Sequence, residues 1–241
     1  MLALPKFIAH RGASLIAPEN TLVSLREAKK QGASYVEFDV QLTGDGHPVV
    51  FHDSELDRTT NGRGKVSDVD YETIARLDAG SWFNEKFKNE RVPTLADYLQ
   101  CAADSRLGIN VELKGTRDQA RQLAKVVVES LDFYWSSDLP EPLISSASIF
   151  CLQAVKSISS DYWLGYIMDK WETHWIDIIN PLHCISLHLA HELLTPERIH
   201  AIKAAKKLLL AYTVNDPLLA NRLLQMGVDA IFSDSIYFIS P

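Results

Sequence analysis

Two carboxylates lie two residues apart in the run 35–40 (YVEFDV), where polar and apolar residues alternate with the period of a β-strand. Glu37 and Asp39 therefore leave one face of the strand. A second apolar run, 48–51, follows a short glycine-containing connection, 43–46, and a loop of four residues is typical of antiparallel hairpins. Pairing across it predicts His52 opposite Glu37, or opposite Asp39 after a slip of two residues. The stretch predicts two oxygen ligands and an imidazole in one small volume, unless it is a solvated strand with an incidental histidine.

Two further apolar runs end in residues of the same chemical types. His10 and Arg11 follow the run 7–9, and Glu112 and Lys114 alternate with apolar residues in the run 110–114. Glu112 and Lys114 therefore share one face of their strand. If these strands end at one rim, they add a third carboxylate, a second histidine and two cations to the cluster.

Such a set suits metal-assisted attack on a phosphate ester. Paired carboxylates favour a hard divalent cation, Mg²⁺ or Ca²⁺ with Mn²⁺ as a further choice, which would polarise a phosphoryl oxygen. One imidazole would deprotonate the nucleophile while the other protonates the leaving alkoxide. The sequence thus predicts metal ligands at Glu37, Asp39 and Glu112, acid/base residues at His10 and His52, and phosphate contacts at Arg11 and Lys114.

The elements that must position these residues alternate between strands and helices along the whole chain. Helix starts are indicated at Thr21, Thr94, Thr195 and Asp216, where a capping side chain precedes the helical pattern. Eight strands remain once the antiparallel return at 48–51 is set aside, namely 7–9, 35–40, 108–114, 143–146, 164–168, 184–188, 208–214 and 230–233. Eight such units in 241 residues predict an α/β fold of the TIM (β/α)8 barrel type, with a doubly wound open sheet as the alternative. Residues 54–91 read as a small lobe inserted after the second strand of a single domain, 1–241.

Composition narrows the classes of function. A net charge of -7 without a Lys/Arg run argues against nucleic acid as a partner. The cysteines, Cys101, Cys151 and Cys184, are odd in number and widely spaced, which indicates reduced thiols and a cytoplasmic location. No apolar run has the length of a membrane span or of a signal peptide. The sequence leaves the oligomeric state open.

The motifs, taken in order, resemble those of the glycerophosphodiester phosphodiesterase family, in particular its cytoplasmic bacterial members. The resemblance covers nearly the whole chain and rests on the segments 10–12 (HRG), 18–21 (PENT), 36–40 (VEFDV), 49–53 (VVFHD), 56–62 (LDRTTNG), 92–95 (VPTL) and 111–114 (VELK). It implies a TIM barrel, hydrolysis of glycerophosphodiesters to sn-glycerol 3-phosphate and an alcohol, and the residue roles given above. Tyr212 stands where many members carry a Trp, so the resemblance implies that it binds substrate.

Two other functions stay open at this stage. Phospholipase C-like and phospholipase D toxin-like relatives cyclise the phosphodiester, with a substrate hydroxyl attacking instead of water. A barrel that binds phosphodiesters without catalysis is the other, although the histidine pair and the three carboxylates argue against it. His188 could line the mouth of the site, though a structural role is the commoner one, and Glu19 and Asp53 read as capping or supporting groups.

Overall fold

The computed structural model describes residues 2–235 of the chain. The strands among these residues are β1 (Phe7–His10), β2 (Tyr35–Leu42), β3 (Pro48–Val50), β4 (Gly108–Leu113), β5 (Leu143–Ser146), β6 (Trp163–Met168), β7 (Ser186–Ala190), β8 (Leu208–Tyr212) and β9 (Ala230–Ser233). The helices are α1 (Leu22–Lys30), α2 (Tyr71–Ile74), α3 (Leu95–Asp104), α4 (Ala120–Tyr134), α5 (Ile149–Ile158), α6 (Trp175–Leu182), α7 (Pro196–Ala204) and α8 (Pro217–Gln225).

Eight of these strands are parallel and close into a barrel. The order around the barrel is β1, β9, β8, β7, β6, β5, β4 and β2, and β2 returns to β1 through the pairs Ala9 with Val36 and His10 with Glu37. Helices separate the strands along the chain. The predicted TIM barrel is therefore confirmed. The open-sheet alternative is wrong, because β1 and β2 are the two ends of the parallel strand order and an open sheet would leave such end strands unpaired with each other.

Local sequence explains where the helices begin. At each helix start predicted from capping chemistry, the side-chain oxygen accepts a hydrogen bond from a backbone N–H of the first turn, which otherwise has no intrahelical partner. These caps are Thr21 on Ser24, Thr94 on Asp97, Thr195 on Arg198 and Asp216 on Leu219. α6 begins at Trp175 after His174, whose side chain makes no capping hydrogen bond.

The hairpin after β2 forms, but both predicted pairings of His52 are wrong. β3 pairs with β2 through Val40 with Val50, Gln41 with Val49 and Leu42 with Pro48, a register between the two predicted ones. The connection between the strands holds five residues, 43–47, instead of four. It is closed by the backbone N–H of Thr43, which donates to the carbonyl of His47 at 3.0 Å.

The segment 54–91 lies between β3 and α3 and contains α2 with two short 3-10 turns, Val66–Asp68 and Glu85–Phe87. Its apolar residues pack with the end of the hairpin in a cluster separate from the main core. This cluster consists of Val49, Phe51, Leu56, Val66, Ile74, Ala79 and Val92, all of them buried. Residues 54–91 thus pack against one another and against the end of the hairpin, beside β2.

Within residues 2–235, no helix combines enough length with enough apolar character to cross a membrane.

Candidate active site

Three carboxylates meet at the carboxyl ends of β2 and β4. β4 pairs with β2 so that Asp39 lies opposite Glu112, and Glu37 is two residues earlier on the same face of β2. One oxygen from each side chain lies within 4.8 Å of the others. Val36, Phe38 and Val40, which alternate with the acids, pack in the core beneath the helices. The alternation read from the sequence therefore places the acids as predicted.

Two cations lie against these acids. The Nζ of Lys114 is 2.5 Å from an oxygen of Glu112 and 3.3 Å from one of Asp39. The Nε of Arg11 is 3.4 Å from the other oxygen of Asp39, and the backbone N–H of Arg11 donates to Glu37 at 3.0 Å. The predicted phosphate contacts thus lie beside the predicted metal ligands.

The backbone after β1 turns sharply in order to bring Arg11 to this place. Arg11 and Gly12 both have positive φ, 54° and 84°. A Cβ on Gly12 would lie 2.4 Å from the Oγ of Ser24, so only glycine fits against the first turn of α1. The Ser24 hydroxyl in turn donates to the carbonyl of Arg11 at 3.0 Å.

Burial gives the three acids different pKa values. Burial and then the neighbouring Asp39 and Glu112 charges raise the pKa of Glu37 well above its ordinary value. Burial also raises the pKa of Glu112, to about 7, although Lys114 opposes the shift. Burial opposes ionisation of Asp39 as well, but Lys114 and Arg11 outweigh it and hold the pKa of Asp39 below its usual range. A full set of three negative charges is therefore costly here.

A carboxylate that follows the last strand, β9, orients His10 on the first strand. Its Nδ1 lies 2.8 Å from an oxygen of Asp234, which follows β9. Ser14 and Asn215 donate hydrogen bonds to Asp234 at 2.8 and 2.6 Å. Nε2 of His10 lies 4.0 Å from Glu37 and so points to the acids. Sequence reasoning missed Asp234, and the one available signal was its place directly after the last strand.

His52 has the same arrangement with its neighbour in sequence. Its Nδ1 lies 2.6 Å from Asp53, whose pKa is lowered to about 2, mainly by hydrogen bonds from Arg58. The buried side chain of Gln41 donates to the carbonyls of Phe51 and Asp53, at 2.9 and 2.7 Å, and so holds the backbone on both sides of His52. Burial lowers the pKa of His52, because it disfavours the charged imidazolium.

Arg58 connects the inserted segment to the rim. Its guanidinium donates to both oxygens of Asp53, at 2.6 and 2.8 Å, and to both oxygens of Glu19, at 2.7 and 2.8 Å. Glu19 also accepts a hydrogen bond from Arg11 at 2.7 Å. Glu19 and Asp53 are therefore supporting groups, in line with the sequence reading, whereas no sequence motif indicated the role of Arg58.

One cavity of about 280 Å³ opens between these groups. Seven of the eight predicted site residues line it, namely His10, Arg11, Glu37, His52, Glu112, Lys114 and Tyr212. The eighth, Asp39, lies beside it in contact with both cations. The hydroxyl of Tyr212 donates to Asp169 and to the carbonyl of Met168, so its ring forms a fixed wall. His188 also lines the cavity and is buried.

The acids have the properties of a metal site. Within residues 2–235, Oε1 of Glu37 is a buried oxygen without a hydrogen-bond partner, and Oδ1 of Asp39 has no hydrogen bond and only the ion pair with Lys114 at 3.3 Å. Unpaired buried carboxylate oxygens are costly unless a cation binds them. Three hard oxygen donors suit a divalent cation such as Mg²⁺ or Ca²⁺. The residues therefore fit a metal ion at Glu37, Asp39 and Glu112.

A TIM barrel with these groups at the carboxyl ends of its strands is suited to cleaving phosphate esters. The model of the Glycerophosphoryl diester phosphodiesterase family matches residues 10–237. The chain belongs to that family and is a phosphoric diester hydrolase. A glycerophosphodiester phosphodiesterase of Caldanaerobacter subterraneus is 34% identical over 94% of this chain and 93% of its own length.

Solved structures agree with the fold and the family. A phosphodiesterase from Oleispira antarctica, in complex with the product sn-glycerol-3-phosphate, superposes with a TM-score of 0.95 at 38% identity, covering 98% of this chain and 95% of its own. A glycerophosphodiester phosphodiesterase from Agrobacterium tumefaciens has a TM-score of 0.80 at 29% identity, covering 98% of this chain and 99% of its own. The predicted family is therefore confirmed.

Proposed function

We propose that this chain hydrolyses glycerophosphodiesters to sn-glycerol 3-phosphate and an alcohol in a metal-dependent reaction that uses His10 and His52 as acid and base. The observation that carries the proposal is the matched pair of histidines on one cavity, each with Nδ1 against a carboxylate. The product bound by the Oleispira antarctica relative supports the choice of substrate.

The histidines would divide the proton transfers. A carboxylate beside Nδ1 favours the tautomer with the proton on that atom, which leaves Nε2 free to exchange a proton with the reacting groups. One imidazole would take the proton of the attacking water, and the other would donate a proton to the leaving alkoxide. Because burial lowers the pKa of His52, its imidazole is available in the neutral form that a general base requires, and we assign it the role of base.

The acids and cations would prepare the phosphate. Glu37, Asp39 and Glu112 would hold one divalent cation, which supplies Lewis-acid polarisation of a phosphoryl oxygen when bound. Arg11 and Lys114 would contact the remaining phosphate oxygens and offset their charge. Tyr212 would form the wall against the substrate.

The test measures release of glycerol 3-phosphate from glycerophosphocholine by the purified chain. EDTA should abolish the release, and Mg²⁺, Ca²⁺ and Mn²⁺ in separate reactions should show which ion restores it. Activity that survives exhaustive chelation would remove the metal from the proposal. A cyclic glycerol phosphate in place of glycerol 3-phosphate would assign the chain to the cyclising reaction, and binding without turnover would make it a binding protein.

We also propose that residues 1–241 form one domain with 54–91 as a lobe within it; residue 1 and residues 236–241 lie outside the described part of the chain. The separate apolar cluster of the lobe and its junction through Arg58 support this organisation. A cytoplasmic location is proposed from the three cysteines, which are unpaired.

A further inference from the structure

Four neutral polar side chains lie in the barrel interior, next to the acids. They are Asn110 on β4, Ser145 on β5, and Ser186 and His188 on β7, each no more than 1% exposed. Barrel interiors are filled mainly by branched apolar side chains, and a buried polar group without a partner is unfavourable. Apolar packing alone does not explain these residues, and a polar ligand in the cavity would.

Among the described residues, the amide NH2 group of Asn110 has a hydrogen-bond partner and its carbonyl oxygen has none. Its Nδ2 donates to the Oγ of Ser145 at 2.9 Å. Within residues 2–235, its Oδ1 has no hydrogen-bond partner although it is buried. Because Asn110 lines the cavity of the candidate active site, this carbonyl oxygen is available to a hydroxyl of a bound ligand.

His188 is fixed in a comparable way. Its Nε2 lies 3.0 Å from the Oγ of Ser186. Gly165 makes room for the ring, since a Cβ there would lie 2.6 Å from Nε2. Among the described residues, Nδ1 makes no hydrogen bond, and the ring lines the same cavity as Asn110. Burial lowers the pKa of His188 to about 3, so the ring is neutral and offers a single donor or acceptor at Nδ1.

We propose that Asn110 and His188 form a subsite that binds the hydroxyl groups of the glycerol half of the substrate. The subsite rests on the proposed function and specifies how that function recognises its substrate. Neutral groups that each offer one hydrogen bond suit hydroxyls, whereas a quaternary ammonium is recognised by aromatic faces and charge. The alcohol on the other side of the phosphate has room in a separate groove. Its lining includes His52, Lys114, Ser54, Ser67 and Gln119.

The experiment compares choline release from glycerophosphocholine and from n-propylphosphocholine, which lacks both glycerol hydroxyls. The wild type should prefer the glycerol diester by about 100-fold in kcat/KM, because the analogue leaves the buried polar groups unpaired. His188→Gln keeps a polar group near the position of Nε2 and should reduce the preference to about tenfold or less. His188→Asn is the matched control, since its amide lies near the position of Nδ1, and it should retain the preference.

Asn110→Leu gives a second, independent measurement and should also lower the preference. The two histidine variants decide the matter if that variant fails to fold. Equal preference in the wild type, His188→Gln and His188→Asn would overturn the subsite, and so would a parallel loss of activity on both substrates. A wild type that cleaves both substrates equally overturns the subsite alone. A wild type that releases choline from neither overturns the proposed function and the subsite with it.

Discussion

Glu37 is the residue whose charge is least favoured by its surroundings. It is buried between two other acids, and one of its oxygens has no hydrogen bond within residues 2–235. The pKa of Glu37 is higher in the folded protein than in an unfolded chain. As the pH rises above the unfolded-chain pKa, ionisation of Glu37 therefore makes folding less favourable. A bound cation would reverse this effect, because it supplies the missing opposite charge.

Glu37→Gln should therefore stabilise the metal-free protein. In EDTA at pH 8 we expect the free energy of unfolding to rise, because the variant removes an ionised carboxylate that burial and the two neighbouring acids disfavour. Urea denaturation measures this change. Mg²⁺ should raise the Tm of the wild type but not that of the variant. Glu129→Gln, at an exposed acid on α4, is the control. A variant less stable than the wild type in EDTA would contradict the argument.

His10→Ala and His52→Ala should each lower kcat by about 10²- to 10⁴-fold, the usual contribution of a positioned acid or base. Both side chains are partly exposed on the cavity, so circular dichroism and Tm should change little. His47→Ala removes an exposed histidine from the same hairpin and should leave kcat unchanged. Full activity in either site variant would refute its role.

At the scale of elements, the sequence predicts the features that depend on residues close together in the chain. The alternation in β2 gives the shared face of Glu37 and Asp39, and the caps give the starts of the helices, because both depend on residues close in sequence. The hairpin register depends on how its five-residue loop closes, which the sequence pattern does not specify. One residue more in the loop than predicted shifts the register by one residue and changes the position opposite His52.

Contacts between distant elements were out of reach for the same reason. His10 and Asp234 are 224 positions apart, and Arg58 reaches Glu19 across 39. Nothing in the local pattern singles out these partners, since any exposed acid could pair with any exposed base. The alternation at the strand ends and the family motifs both predicted the site residues, whereas Asp234 and the contacts of Arg58 with Asp53 and Glu19 required the folded chain.

Arg58→Ala should weaken the junction between the inserted lobe and the rim. Asp53 would lose two hydrogen bonds and hold His52 less firmly, so we expect kcat to fall about 10- to 100-fold, as for other groups that orient a catalytic histidine. Stability should change by less than about 1 kcal/mol, because the side chain is partly exposed. Steady-state kinetics and urea denaturation measure the two effects.

Arg76→Ala is the control for this experiment. Arg76 belongs to the same lobe, but its salt bridge to Glu72 lies on the exposed surface. Its removal should leave kcat unchanged. If the two variants lose activity equally, the effect belongs to the lobe as a whole and not to the contact with Asp53.

For the whole molecule, the polar interior of the barrel links stability to pH. The pKa of His188 is about 3 in the folded protein, against 6.5 for a free side chain. Between these values the unfolded chain binds a proton that the folded chain excludes, so the contribution of His188 to stability falls as the pH falls. The raised pKa values of Glu37 and Glu112 act in the opposite direction.

His188→Gln isolates this contribution. Between pH 6 and pH 4 the free energy of unfolding of the wild type should include a loss of about 1.4 kcal/mol per pH unit that the variant lacks. Urea denaturation at several pH values gives both slopes. His200→Gln, at an exposed histidine of α7, should keep the wild-type slope. Equal slopes for the wild type and His188→Gln would show that His188 is not held neutral.

The hydrogen bond between His10 and Asp234 has a consequence for synthesis on the ribosome. The carboxylate that orients His10 is added 224 residues after it, and β1 gains its neighbour β9 at the same stage. At about 5–20 residues per second, that interval is roughly 10 to 45 s. During this time a nascent chain holds the acids of β2 and β4 without an oriented His10, so it should reach its mature geometry only once the last strand has emerged.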